Sequence, residues 1–131
     1  MIKVSIMYPN SPTMRRFDHD YYRDKHLPLI KSRMGSALKY YTIDKGLAGA
    51  AADAPAVYVA MGHLLCESVE AYQSSFGPHA QEITQDVRNF TDQMPIVQIS
   101  EIVVRPRPEV RPKRSTRKSN GPRKFATTRL N

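Results

Sequence analysis

The chain has no tryptophan, one cysteine and no apolar run long enough to span a bilayer. Each absence removes a class of protein. With Cys66 alone, no intrachain disulfide can form, and secretion into an oxidising compartment gains no support. Met1 runs straight into Ile2-Lys3-Val4-Ser5-Ile6, without a charged leader and an apolar segment behind it, so a soluble protein of the reducing cytoplasm is expected. Glycine is sparse, six residues in 131, and the nearest pair, Gly46 and Gly49, forms neither a dinucleotide fingerprint nor a phosphate loop. No cofactor is expected from such signals. A metal is not expected either: His19 and His26 fall seven residues apart, roughly 10 Å along a helix, too far to share one zinc. His63 and Cys66 differ by three on an expected strand and point to opposite faces.

Acidic residues are lacking at one end only. From Arg105 to Arg129 ten basic side chains face Glu109 alone, whereas the preceding 104 residues carry ten basic and eleven acidic ones. The net charge of +8 therefore belongs to the end of the chain. Residues 105–131, with Pro106, Pro108, Pro112 and Pro122 among the arginines and lysines, hold too little apolar material to fold and are expected to be a disordered basic tail. Such a tail suits weak, sequence-blind contact with nucleic acid or an anionic surface. Phe125 is its single aromatic and makes no stacking platform. Residues 1–104 are left as one domain with a modest core.

Ile2, Val4, Ile6 and Tyr8 alternate with Lys3, Ser5 and Met7, the period of a strand, and Pro9 to Pro12 end it. A helix is expected from about Asp18 to Met34, bent at Pro28 and stopped by Gly35. Leu38–Lys45 reads as a second strand, 46–55 as a mobile loop, and Val57–Cys66 as a third strand. Ser68 opens a second helix, interrupted at Gly77-Pro78 and resumed to Val87, and Ile96–Val104 is the fourth strand. The order β-α-β-β-α-β predicts an α+β fold of ferredoxin-like type, with both helices on one face of an antiparallel sheet. Apolar residues fall on both sides of the last strand, with Val97, Ile99 and Val103 on one and Ile96 and Ile102 on the other. A second copy packed sheet to sheet, a homodimeric barrel, would cover the remaining face.

The first helix carries the chemistry. Asp18, Tyr22 and His26 recur every four residues and so stack on one face as carboxylate, phenol and imidazole. Imidazole offers both protonation states near neutrality, which makes His26 the natural proton carrier. A plainer account also holds: Asp18 stands where an N-cap would, and Tyr22 and His26 suit core positions with satisfied tips.

The opening strand ending Tyr8-Pro9, the helix F-D-x-x-Y-Y-x-x-x-H-x-P-L from Phe17 to Leu29, and Phe76-Gly77-Pro78-His79 followed by the Ile96–Val104 strand together resemble the EthD family of dimeric α+β barrels. The resemblance covers Met1 to Val104. It implies a homodimer and a small organic ligand in a cleft between helices and sheet. Members are often labelled oxidoreductases, after ethyl tert-butyl ether degradation, while relatives of the barrel include polyketide cyclases, decarboxylases, isomerases and cofactor-free monooxygenases.

Two functions fit these residues. In an enzyme, His26 acts as general acid or base on an apolar, aromatic or carbonyl compound while Tyr22 or Tyr8 hydrogen-bonds the developing oxyanion. His79, with Tyr72 seven residues before it, is the second candidate base, although Gly77-Pro78 lies between them. Asp18 and His63 complete the expected ligand contacts, although His63 reads more readily as a core or rim residue. In an accessory module the same groups merely orient a ligand without turnover. Cys66 reads as a buried, inert thiol.

Overall fold

Strict alternation builds the sheet. β1 (Ile2–Pro9) buries Ile2, Val4 and Tyr8 on one side and turns Lys3, Ser5 and Met7 to the other. β3 (Tyr58–Cys66) buries Ala60, Gly62, Leu64 and Cys66 on that same side and places Met61 and His63 opposite. The computed structural model describes residues 1–105. In it β2 (Tyr40–Lys45), β3, β1 and β4 (Ile96–Glu101) lie side by side in that order, each neighbouring pair antiparallel. β1 and β2 are consequently parallel with β3 between them, which is the ferredoxin-like α+β arrangement.

Two helical arms cover one face. The first begins with a turn, α1 (His19–Tyr21), and Asp18 caps it by accepting the Tyr21 N–H at 3.0 Å. A π turn follows at Tyr22–His26, then α2 (Leu27–Met34), which ends at Gly35 with a φ of 62°. The expected bend at Pro28 takes the form of this π turn. Proline has no N–H for an i→i−4 bond, and widening the preceding turn to i→i−5 bonding, as in Leu27 N–H to Tyr22 O, places it near the start of a fresh α segment. The second arm is α3 (Val69–Phe76), capped by Ser68 on the Ala71 N–H, then a tight turn at Gly77–His79 and α4 (Ala80–Asp86). Arg33 on α2 grips Glu82 on α4 through two bonds of 2.8 Å and ties the arms together.

Tyr8, Tyr22, Leu27, Ile30, Leu38, Leu64 and Phe90 form the buried centre, and Cys66 joins it with no exposed surface. Edge-on pairs of Tyr8 with Tyr22, Phe17 and Phe90, at 5.2 to 5.7 Å, lock the aromatic part of the core.

Two boundaries and one loop differ from the expectation. β2 begins at Tyr40 because Leu38 turns fully into the core. β4 ends at Glu101; the Ile102 N–H still reaches the Met1 carbonyl, but Val103 and Val104 stand in solvent. The loop at 46–55 is tied internally, Gly49 N–H to Ala54 O and Ala54 N–H to Ala51 O. The basic tail expected at 105–131 lies, beyond Arg105, outside the described residues.

The uncovered face is less apolar than expected. Pairing sets Thr42, His63, Ser5 and Gln98 in one row across all four strands, between a row of Asp44, Met61, Met7 and Ile96 and a row of Tyr40, Leu65, Lys3 and Ser100. Val97 and Ile99 are registered against Ile6 and Val4, on the helix side, yet remain exposed, since the arms leave β4 bare.

Candidate functional site

The helix-covered face brings His26 and Tyr22 together as the sequence spacing anticipates. The π turn sets their rings parallel within 18° at 5.7 Å between centroids, and Phe90 lies 4.6 Å from the imidazole. The carboxylate of this group is not Asp18, whose side chain is engaged as the helix cap. It is Asp86, the last residue of α4, which accepts from His26 Nδ1 at 2.8 Å, Tyr21 Oη at 2.7 Å and Asn89 Nδ2 at 2.8 Å. Since an ionised carboxylate only accepts, the proton of neutral His26 sits on Nδ1 and Nε2 keeps its lone pair. One signal for Asp86 was present in the sequence: a carboxylate in the last turn of a helix opposes the macrodipole and calls for another partner.

Burial pushes the His26 imidazole below its ordinary range, and Asp86 only partly offsets this. For Asp86, burial pushes upward, but the donors His26, Tyr21 and Asn89 outweigh it and hold the carboxyl below the usual range. Burial, with the charges of Tyr8 and Asp44 behind it, raises the Tyr22 phenol well above its ordinary value, and burial does the same to Tyr8. All the acid–base partners at this site are therefore held in one form at neutral pH: imidazole neutral, phenols protonated, carboxylate charged.

Tyr22 Oη has no hydrogen-bond partner and is alone in this among the buried side-chain polar atoms of the described residues. It reaches the sheet at Gly62, where an added Cβ would collide with it. A buried hydroxyl left unpaired costs about 1–3 kcal/mol and marks a place where a polar guest or water would be welcome. The pair is also closed in: His26 is 3% exposed and Tyr22 0%. Both side chains sit on the π turn, the irregular segment of the first arm.

The other expected residues disperse. Tyr8 is buried against Tyr22 and belongs to the group. His79 sits half-buried in the tight turn of the second arm, without a hydrogen bond to His26 or Tyr72 among the described residues, and Tyr72 packs on Phe76 at 5.1 Å instead. His63 lies on the opposite face of the sheet, between Ser5 and Asp44. Burial raises the Cys66 thiol, as befits an inert one. No group of three or more His, Cys, Asp or Glu among the described residues is placed to hold a metal ion, and none of their helices is long and apolar enough to cross a membrane.

A family model described as the EthD domain matches residues 11–94, the stretch holding both arms and the paired histidine and aspartate. The chain belongs to the EthD family. The crystal structure of an EthD-like protein from Ralstonia eutropha is 46% identical, with a TM-score of 0.75 over 88% of this chain and 96% of that one. An ethyl tert-butyl ether degradation (EthD) family protein from Bacillus halodurans shares the fold at 15% identity, TM-score 0.59, covering 79% and 99% of the two chains. HapK from Hahella chejuensis does so at 10% identity, TM-score 0.55, covering 84% and 100%. No curated protein matches the chain.

Proposed function

We propose that this EthD-family protein acts, as a homodimer, on a small apolar, aromatic or carbonyl compound by proton transfer, without a tightly bound cofactor. One observation carries the reading. His26, with Nδ1 fixed on Asp86, keeps Nε2 free as a base, and beside it the Tyr22 hydroxyl has no partner. The substrate's acidic C–H or O–H would meet Nε2, and the oxygen that gains charge would take the hydrogen bond Tyr22 lacks. Asp86 then stabilises the imidazolium while it lasts.

The Bacillus halodurans relative is named for ether degradation; for this chain the reading stays with small-molecule catabolism or polyketide-type chemistry, and an oxidoreductase role rests on the family's label. Exposed Ile96 on the bare face supports the second copy. The sealed His26 ring favours a second reading, a non-catalytic carrier that opens only to load its ligand. A cytoplasmic setting and weak nucleic-acid contact through the tail belong to the proposal as well.

Native mass spectrometry of the full chain tests the frame, giving subunit count and retained ligand in one spectrum. On a substrate so identified, His26→Ala in an intact dimer is expected to lower the rate by about 10²–10⁴. Full activity in that variant overturns the catalytic role, and tight ligand binding with no product selects the carrier.

A further inference from the structure

On the bare face, Ser5, His63 and Asp44 form a hydrogen-bonded line across three strands. Ser5 Oγ lies 2.9 Å from His63 Nδ1, and His63 Nε2 lies 3.2 Å from Asp44 Oδ2. The line borders a groove of about 440 Å³, within the range of small-molecule sites. Lys3, Ser5, Tyr40, Thr42, His63 and Leu65 lie along the groove, and residues 100–104 wall it where the chain leaves β4. None of this enters the chemistry proposed for the helix side.

We propose that this groove binds a small carboxylate, held by the Lys3 ammonium and the Ser5 and Thr42 hydroxyls, with His63 governing how well it holds. The Lys3 ammonium supplies the counter-charge for an anion. Lys3 has no carboxylate within ion-pair distance among the described residues. Asp44 is engaged by His63, and Glu101, registered against buried Ile2, stands in the wall at the end of β4, away from Lys3 by more than ion-pair distance. Tyr40 adds a phenol at the rim.

The two hydrogen bonds of His63 make the groove responsive to protons. In neutral His63 the carboxylate of Asp44 claims the Nε2–H, so Nδ1 must accept, and the Ser5 hydroxyl spends its proton on the ring. It then offers the groove only lone pairs, which repel an anion. Once His63 is protonated, Nδ1–H donates to Ser5 Oγ, and the hydroxyl proton turns outward as a donor. Uptake of one proton thus adds a positive charge and reverses the polarity of the serine. The charged and titratable groups around His63 are Asp44 and Tyr40 from β2 and Lys3 from β1, with Glu101 at the end of β4.

Nucleophilic attack by Ser5 is a weaker use of the same line. The backbone N–H groups of β1 and β3 are spent on the strand ladders, so no backbone oxyanion hole faces the hydroxyl. If two copies pack sheet to sheet, the groove opens into the barrel interior and its ligand is screened from bulk water, which strengthens the charged contacts.

The test is calorimetric titration of the full chain with benzoate, and with benzyl alcohol as the neutral counterpart. Saturable benzoate binding is expected, about tenfold tighter near pH 5.5 than near pH 8, the scale of one charge-assisted hydrogen bond. Benzyl alcohol is expected to show no such difference. Lys3→Met should lose about tenfold near pH 5.5, and His63→Gln should keep the affinity seen near pH 8 while abolishing the acid gain. Ser5→Ala, a minimal change, should also abolish that gain. The proposal is overturned by an absence of saturation, by affinities unchanged in all three variants, or by binding lost in His26→Ala alone. That last result would place the ligand on the helix side, in support of the reading above.

Discussion

His26 and His63 are each held by an aspartate, on opposite faces of one sheet, and the protein treats them differently. His26 is 3% exposed and lies among aromatic rings, with Asp86 as its one hydrogen-bond partner among the described residues. His63 is partly open to solvent, uses both nitrogens, and leans on an Asp44 whose side chain is 59% exposed. Burial dominates the first pair and pushes its imidazole toward the neutral form. In the second, solvent screens the carboxylate, and the chemistry comes from which neighbour holds which proton. The same two residue types thus make a buried pair with a neutral imidazole on one face and a part-exposed hydrogen-bonded pair on the other, and the difference lies in desolvation.

Removing each aspartate is the most direct way to break this comparison. Asp86→Ala strips partners from His26, Tyr21 and Asn89 together and is expected to destabilise the fold by about 3 kcal/mol in denaturant unfolding. Asp44→Ala should stay within about 0.5 kcal/mol, as exposed pairs do. Equal losses would mean that the two sites do not differ in kind. A smaller effect is expected at Gly62, whose missing side chain admits the tip of Tyr22. Gly62→Ala should cost about 1–3 kcal/mol by overpacking, and Gly62→Ala combined with Tyr22→Phe should recover part of it, again read from denaturant midpoints.

The smallest effect sharpens the comparison through pH. His26 has a lowered folded pKa, so the unfolded chain takes up its proton first, and stability falls as pH drops below about 6.5. Asp86 is also lowered; its contribution is present above about pH 3.9 and is lost as pH falls through its folded pKa, further down the acid limb. Thermal melts from about pH 2 to 8 should show both steps. His26→Gln should flatten the upper step, whereas His63→Gln should leave it in place. A loss of the upper step in His63→Gln instead would reverse the assignment.

What was legible in the sequence was local. Strand alternation, the caps at Asp18 and Ser68 and the stop at Gly35 act over a few residues, and all stand as expected. The stacking of Tyr22 and His26 was legible for the same reason, since it depends on helical spacing. The partner of His26 was not, because Asp86 is sixty residues away and only the packing of one arm on the other brings it in. The π turn escaped because the bond lost at Pro28 reads equally well as a bend. The polar row on the bare face depends on strand register, which the turn-rich connection between β2 and β3 does not fix. His79 and Tyr72 were grouped on a shared helical face that the turn at Gly77–His79 does not preserve.

Cys66 ends β3 with its thiol wholly inside the core, and no second cysteine exists anywhere in the chain. A maleimide dye offered to the native protein therefore has one target, unreachable until the end of that strand comes away from the arms. The labelling rate becomes a clock for such opening, read without any engineered tag. A ligand that props the arms apart would quicken it, and one that clamps them would slow it.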